Sequence, residues 1–202
     1  MPDTATVTVN ATALGRSFTT DWTVTGDSPA GSSPNVTPAA AGTLTTRTDN
    51  DTGSVTMSAG GHGITTAAEV DVYWSGGARR DMTVGTVSGT TVPIDGGLGD
   101  NLPAATTALT LKVPQTEGEL DVTGANVTFI ALKATTYRGT IVLREADGTE
   151  ILAKVIPAGE SYVWSADSGE TNPVTGVSIA KATFSHEDAS NTQEMPWVLL
   201  YN

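Results

Sequence analysis

Cysteine is absent from this chain of 202 residues. That removes disulfide scaffolds, Cys-ligated zinc, iron–sulfur clusters and thiol nucleophiles, and leaves the fold to packing and hydrogen bonding. Positive charge is scarce: 10 Lys and Arg stand against 22 Asp and Glu, for a formal net charge of -12. Apart from Arg79-Arg80 the basic residues are scattered singly and cannot neutralise a row of phosphates. Neither nucleic acid nor an anionic membrane surface is therefore an expected partner. Long apolar runs are missing too, so no segment is expected to cross a bilayer as a helix. The opening Met1-Pro2-Asp3-Thr4 carries neither the basic nor the apolar stretch of a Sec-type signal, and no such signal is expected.

What is abundant is threonine, 35 residues, together with 22 Gly and 10 Pro. β-Branched residues at this density suit strands, and Gly and Pro punctuate them with turns. Period-two alternation recurs in short runs at 4–9, 18–25, 42–48, 54–58, 70–74, 83–87, 91–94 and 108–113, then at 126–133, 140–145, 150–156, 161–164, 177–184 and 197–201. No apolar stripe of helical period competes with them; the best place for one helical turn is 64–69. The expected fold is all-β, with two small antiparallel β-barrel or β-sandwich modules and almost no helix. The boundary is placed near Pro114-Gln115-Thr116-Glu117-Gly118, giving an N-terminal module over 1–115 and a C-terminal sandwich over 116–202, with one continuous sandwich as the alternative. Within the first, the Pro/Gly/Ala-rich stretch 28–41 reads as an exposed loop. Asp147-Gly148, between two apolar-rich runs, marks the clearest hairpin, and Asp49 to Gly53 marks a second.

Catalytic chemistry finds little to work with. His62 and His186 are the only imidazoles, and no nucleophile elbow, zincin helix or phosphate-binding loop accompanies them. His62, in Ala59-Gly60-Gly61-His62-Gly63, reads as a turn histidine capping backbone groups. His186, in the polar stretch Ser185 to Asn191, reads as part of a solvated loop; a hydrolase would have to pair it with Glu187 or Asp188. Two acidic loops bear on calcium. Asp49 and Asp51 ahead of Gly53 resemble half of an EF-hand loop, and Asp95 to Asp100 resembles one fragment of a nonapeptide repeat with its Asp one place early. Plain turns account for both, so no catalytic, metal or cofactor residue is assigned. Trp22, Tyr73, Trp74, Tyr162, Trp164 and Trp197 lie within strand patterns, where a sandwich needs its few large side chains inside, not displayed as a sugar platform.

The run from Gly61-His62-Gly63 to Tyr73-Trp74, continuing through Arg79-Arg80-Asp81-Met82 to Asp95-Gly96-Gly97-Leu98-Gly99-Asp100, resembles small β-modules in virion proteins of tailed bacteriophages. Ile141 to Gly148, followed by Ile156-Pro157-Ala158-Gly159 to Trp164, looks like the sandwich modules of head-decoration or tail-associated proteins. The resemblance implies a non-enzymatic structural protein on the outer surface of a phage virion, most specifically one that decorates and stabilises the capsid. Its implied partners are the major capsid protein or other shell proteins, and further copies of itself. A tail- or fibre-associated role, or a cell-surface carbohydrate-binding adhesin sandwich, is the alternative. The loop 28–41 or the strand 4–9 would reach a neighbouring subunit by adding to a sheet edge.

Overall fold

A computed structural model describes residues 3–13, 16–26, 28–117 and 120–201. The chain opens with a hairpin of β1 (Asp3–Ala13) and β2 (Arg16–Gly26) in unbroken antiparallel register. There follow β3 (Ser28–Ser32), β4 (Asn35–Val36), β5 (Ala40–Arg47), β6 (Gly53–Met57), β7 (Glu69–Trp74), β8 (Gly77–Val84), β9 (Thr91–Gly99) and β10 (Ala108–Lys112). The second half contributes β11 (Gln115–Glu117), β12 (Val122–Thr123), β13 (Val127–Lys133), β14 (Gly139–Arg144), β15 (Glu150–Ile156) and β16 (Ser161–Ser165). It ends with β17 (Ser178–Ile179), β18 (Lys181–His186), β19 (Gln193–Glu194) and β20 (Trp197–Tyr201). Among the described residues helix is confined to two single 3-10 turns, Gly124–Asn126 and Ala166–Ser168. The fold is all-β, as the threonine-rich alternation implies.

Strands β5 to β10 close into a six-stranded antiparallel barrel in the order β10-β5-β6-β9-β8-β7. Its interior is filled by Leu44, Val55, Val70, Val72, Met82, Val92, Ile94 and Leu111. A separate core lies between two four-stranded sheets, β11-β18-β14-β15 and β16-β13-β20-β3, where Ile130, Leu132, Ile141, Leu143, Phe184 and Leu199 meet. The molecule thus has two hydrophobic centres, each built from one face of alternating strands. Burying each of these large side chains stabilises by about 1.5–3 kcal/mol before entropy is charged.

Local chemistry explains the clearest element. β14 and β15 form the hairpin at Asp147-Gly148, where Gly148 adopts φ +99° and Asp147 Oδ1 accepts the Thr149 N–H at 2.9 Å. Two expectations fail. No helical turn forms over 64–69: the Ala67 N–H donates to Val84 O and the Val84 N–H to Ala68 O, so pairing with β8 claims those backbone groups. The stretch 28–41 is not an exposed loop either. β3 pairs with β20 as the edge of a sandwich sheet, β4 pairs with β19, and Val36 is fully buried in the sandwich core. Pro29 and Gly31 suit an edge strand, which needs fewer ladder donors, and the stretch ends by entering the barrel as β5.

Candidate functional site

Strand β7 reads Glu69-Val70-Asp71-Val72-Tyr73-Trp74, an alternation that by itself predicts one face in water. Val70, Val72 and Trp74 do point into the barrel. Asp71 and Tyr73, on the opposite face, are nevertheless 3% and 1% exposed, because the sandwich covers them. The covering strands repeat the pattern. Ile141 and Leu143 of β14, with Ala182 and Phe184 of β18, serve the sandwich core, leaving Thr140, Arg144, Thr183 and Ser185 to meet the barrel.

A polar seam results. Tyr73 Oη lies 2.7 Å from Thr140 Oγ1 and 2.6 Å from Ser185 Oγ, each within hydrogen-bond reach, and Ser185 Oγ is hydrogen-bonded in turn to Asp71 Oδ2. Asp71 Oδ1 accepts the Asp81 N–H at 3.0 Å. Asp81 sits at φ +55°, a conformation Asp tolerates better than most residues, and its carboxylate pairs with Arg144. Arg80 forks onto Glu150 through Nε at 2.8 Å and Nη2 at 2.7 Å. Arg138 donates to Trp74 O at 2.6 Å, lies 5.7 Å from the Tyr73 ring centre and pairs with Glu187. Burial pushes the Asp71 carboxyl up to about 6 and the Tyr73 phenol upward as well. Ser185 is fully buried, so no substrate reaches this Tyr–Ser–Asp row while barrel and sandwich are joined. Its chemistry is that of a joint. Tyr73→Phe is expected to cost about 1–2 kcal/mol in urea unfolding, since it strips both the Thr140 and the Ser185 hydroxyl of a partner.

The residues singled out in the sequence lie elsewhere and do not converge. His62 accepts the Ile64 N–H on Nδ1 and faces Gly89 O through Nε2 at 3.2 Å, which makes it the turn histidine expected. His186 is not in a solvated loop. It ends β18 with no exposed surface, Nδ1 accepts the Asp188 N–H, Nε2 lies 2.9 Å from Val36 O, and Tyr137 stacks on the ring. Both nitrogens are occupied by backbone, leaving neither for base chemistry. Glu187 belongs to Arg138, and Asp188 caps the Ser190 and Asn191 N–H groups.

The two acidic loops are turns with internal partners. Asp49 Oδ1 accepts from the Asp51 and Thr52 N–H groups, and Asp95 accepts from Thr52 Oγ1 at 2.6 Å. In the segment from Asp95 to Asp100 the carbonyls of Gly96, Gly97 and Asp100 all point at one cation, the Arg79 guanidinium, at 2.6, 2.9 and 3.0 Å. Trp74, Trp164 and Trp197 are buried, Tyr162 is half-buried beneath Lys154, and the side chain of Trp22 lies outside the described residues. No protein-family model, curated protein or solved structure matches this chain.

Proposed function

We propose that the chain is a non-enzymatic structural component of a tailed-phage virion, a decoration protein that binds the outer head shell and stabilises it. The observation that carries this reading is the N-terminal hairpin. Among the described residues β1 and β2 pair only with each other, over eleven residues apiece. Their register sets Val7 opposite Trp22, Ala5 opposite Val24 and Ala11 opposite Phe18, and along the sequence these six and Val9 alternate with polar residues. Threonine, serine, asparagine and Asp21 occupy the alternate positions. A two-stranded ribbon is marginal in water by itself, and apolar residues at alternate positions of both strands call for a second surface. The shell protein supplies it, the ribbon's free edges adding to a sheet there. The remaining charge is acidic, which keeps decorated particles dispersed.

Full-length protein carrying Val7→Asp and Trp22→Asp together provides the test, by sedimentation with heads stripped of their decoration. The parent chain is expected to sediment saturably with heads and the variant to stay in the supernatant at equal folded content. Equal binding by the variant, or no saturable binding by the parent, would overturn the reading.

A further inference from the structure

Away from the hairpin and the seam, a cleft of about 560 Å³ opens at one end of the barrel. Its walls are the segment 37–41 leading into β5 and the Gly-rich loop after β6, and its floor is the end of β10. Lys112 lies there, 7% exposed. A buried ammonium group ordinarily has a carboxylate partner. Lys112 Nζ instead donates to two neutral oxygens, Thr37 Oγ1 at 2.6 Å and, weakly, Gln115 Oε1 at 3.4 Å. Among the described residues no Asp or Glu pairs with it, although the chain holds 12 more acidic than basic residues. Burial alone pushes its pKa down.

Beside it, the N–H groups of Gly60, Gly61 and Gly63 donate to nothing among the described residues. All three glycines are exposed, and a methyl group added to any of them would meet no atom within 4 Å. His62 does not compete, because its ring is held by Ile64 and Gly89. The rest of the lining is mixed: Ser58 beside the alanines 40, 41, 59 and 189, Pro38 and Val113, with the largely buried Ala39, Ile64 and Leu111 behind them. The volume falls within the range of small-ligand sites.

We propose that this cleft binds a carboxylate with a short aliphatic body: Lys112 takes the negative charge, the glycine amides take hydrogen bonds, and the small apolar side chains take the carbon chain. A free short-chain acid and the C-terminus of a protein segment present the same chemistry. Neither source depends on a role in a virion.

The experiment is a titration of the intact protein followed by NMR of the lysine side chains, with butyrate, butyramide and the tripeptide Ala-Ala-Ala with free or amidated C-terminus. Butyrate is expected to bind saturably in the millimolar range and to raise the Lys112 pKa by about one unit, as an opposite charge at close range does. Butyramide and the amidated peptide should do neither. Binding of the free-acid peptide at least tenfold tighter than butyrate identifies a chain terminus as the natural ligand; the reverse order identifies a free acid. Lys112→Met should abolish the saturable phase. If that variant fails to fold, Lys112→Arg, which keeps the charge, should retain it. No movement of the Lys112 signal with butyrate, or equal movement with butyramide, would overturn the proposal.

Discussion

At pH 8 the Asp71→Asn variant is expected to be more stable than the parent chain by about 3 kcal/mol. Asp71 is wholly buried against the sandwich, and its carboxyl rises from 3.8 to about 6 on folding, chiefly through desolvation and with a smaller push from Asp81. Ser185, the Asp81 N–H and Arg144 act in the other direction without cancelling it. A folded state that binds the proton more tightly than the unfolded chain loses stability as pH rises from about 4 to about 6, and stays lower above that. Two pKa units correspond to about 3 kcal/mol. Asparagine removes the charge and keeps the geometry. Four oxygens stand in a row, Asp71, Ser185, Tyr73 and Thr140, and their three contacts need three hydrogens. When Asp71 is protonated each group donates to the next; when it is ionised the hydrogens run back from Thr140. In Asp71→Asn the new amide nitrogen donates to Ser185 as the protonated acid does, while the amide oxygen still accepts from Asp81. His186 supplies the opposite slope: burial lowers its pKa from 6.5, so its contribution is complete above 6.5 and falls away as pH drops. The parent should therefore show a shallow pH profile between 5 and 7, and Asp71→Asn a profile that climbs with pH, both read from urea midpoints. An Asp71→Asn protein less stable than the parent at pH 8 would mean that the ionised carboxylate is net favourable through Arg144.

The same seam shows where sequence reading stops. Asp147-Gly148 announces its hairpin because the turn chemistry is local, and the alternation of β7 or β14 announces a strand for the same reason. That alternation also says which residues share a face. It does not say what covers the second face. Asp71, Tyr73, Arg144 and Ser185 have the ordinary signature of a solvated side until another module lands on it, and that module lies 67 to 114 residues away along the chain. His186 departs from its sequence reading for a related reason: its polar neighbours Glu187 and Asp188 are half-buried, while the histidine turns inward to Val36, a residue 150 positions distant. A signal did exist in Val70-Asp71-Val72-Tyr73-Trp74, because a tyrosine and a tryptophan in one strand leave too much apolar surface for a single buried face. The stretch 28–36 departs differently. Gly and Pro mark sheet edges as well as loops, and composition does not separate the two.

Gly124 carries the other large effect, and Gly60 is its opposite. Gly124→Ala is expected to destabilise by roughly 3 kcal/mol, the upper range for overpacking. An added Cβ would overlap Val174 O and lie 2.9 Å from Val174 C and 3.0 Å from Val177 O. These are backbone atoms, so no side-chain rotation relieves them. They are also held from both sides: the Gly124 N–H donates to Val177 O at 2.8 Å, and Asn172 Nδ2 donates to Gly124 O at 2.9 Å. The close approach clamps the segment 172–177 over the end of the sandwich, where Val174 and Ile179 are buried. Moving that segment away to admit a methyl group would expose both. Gly60→Ala is the opposite case. Its Cβ would meet nothing within 4 Å, and its φ lies outside the left-handed region, so the smaller entropy of the unfolded chain should leave it level with the parent or more stable by about 0.4–1 kcal/mol. Urea midpoints at one pH decide both. A Gly124→Ala protein that unfolds with the parent would show that the 172–177 segment does not pack on Gly124, and the buried environment assigned to Val174 would fall with it.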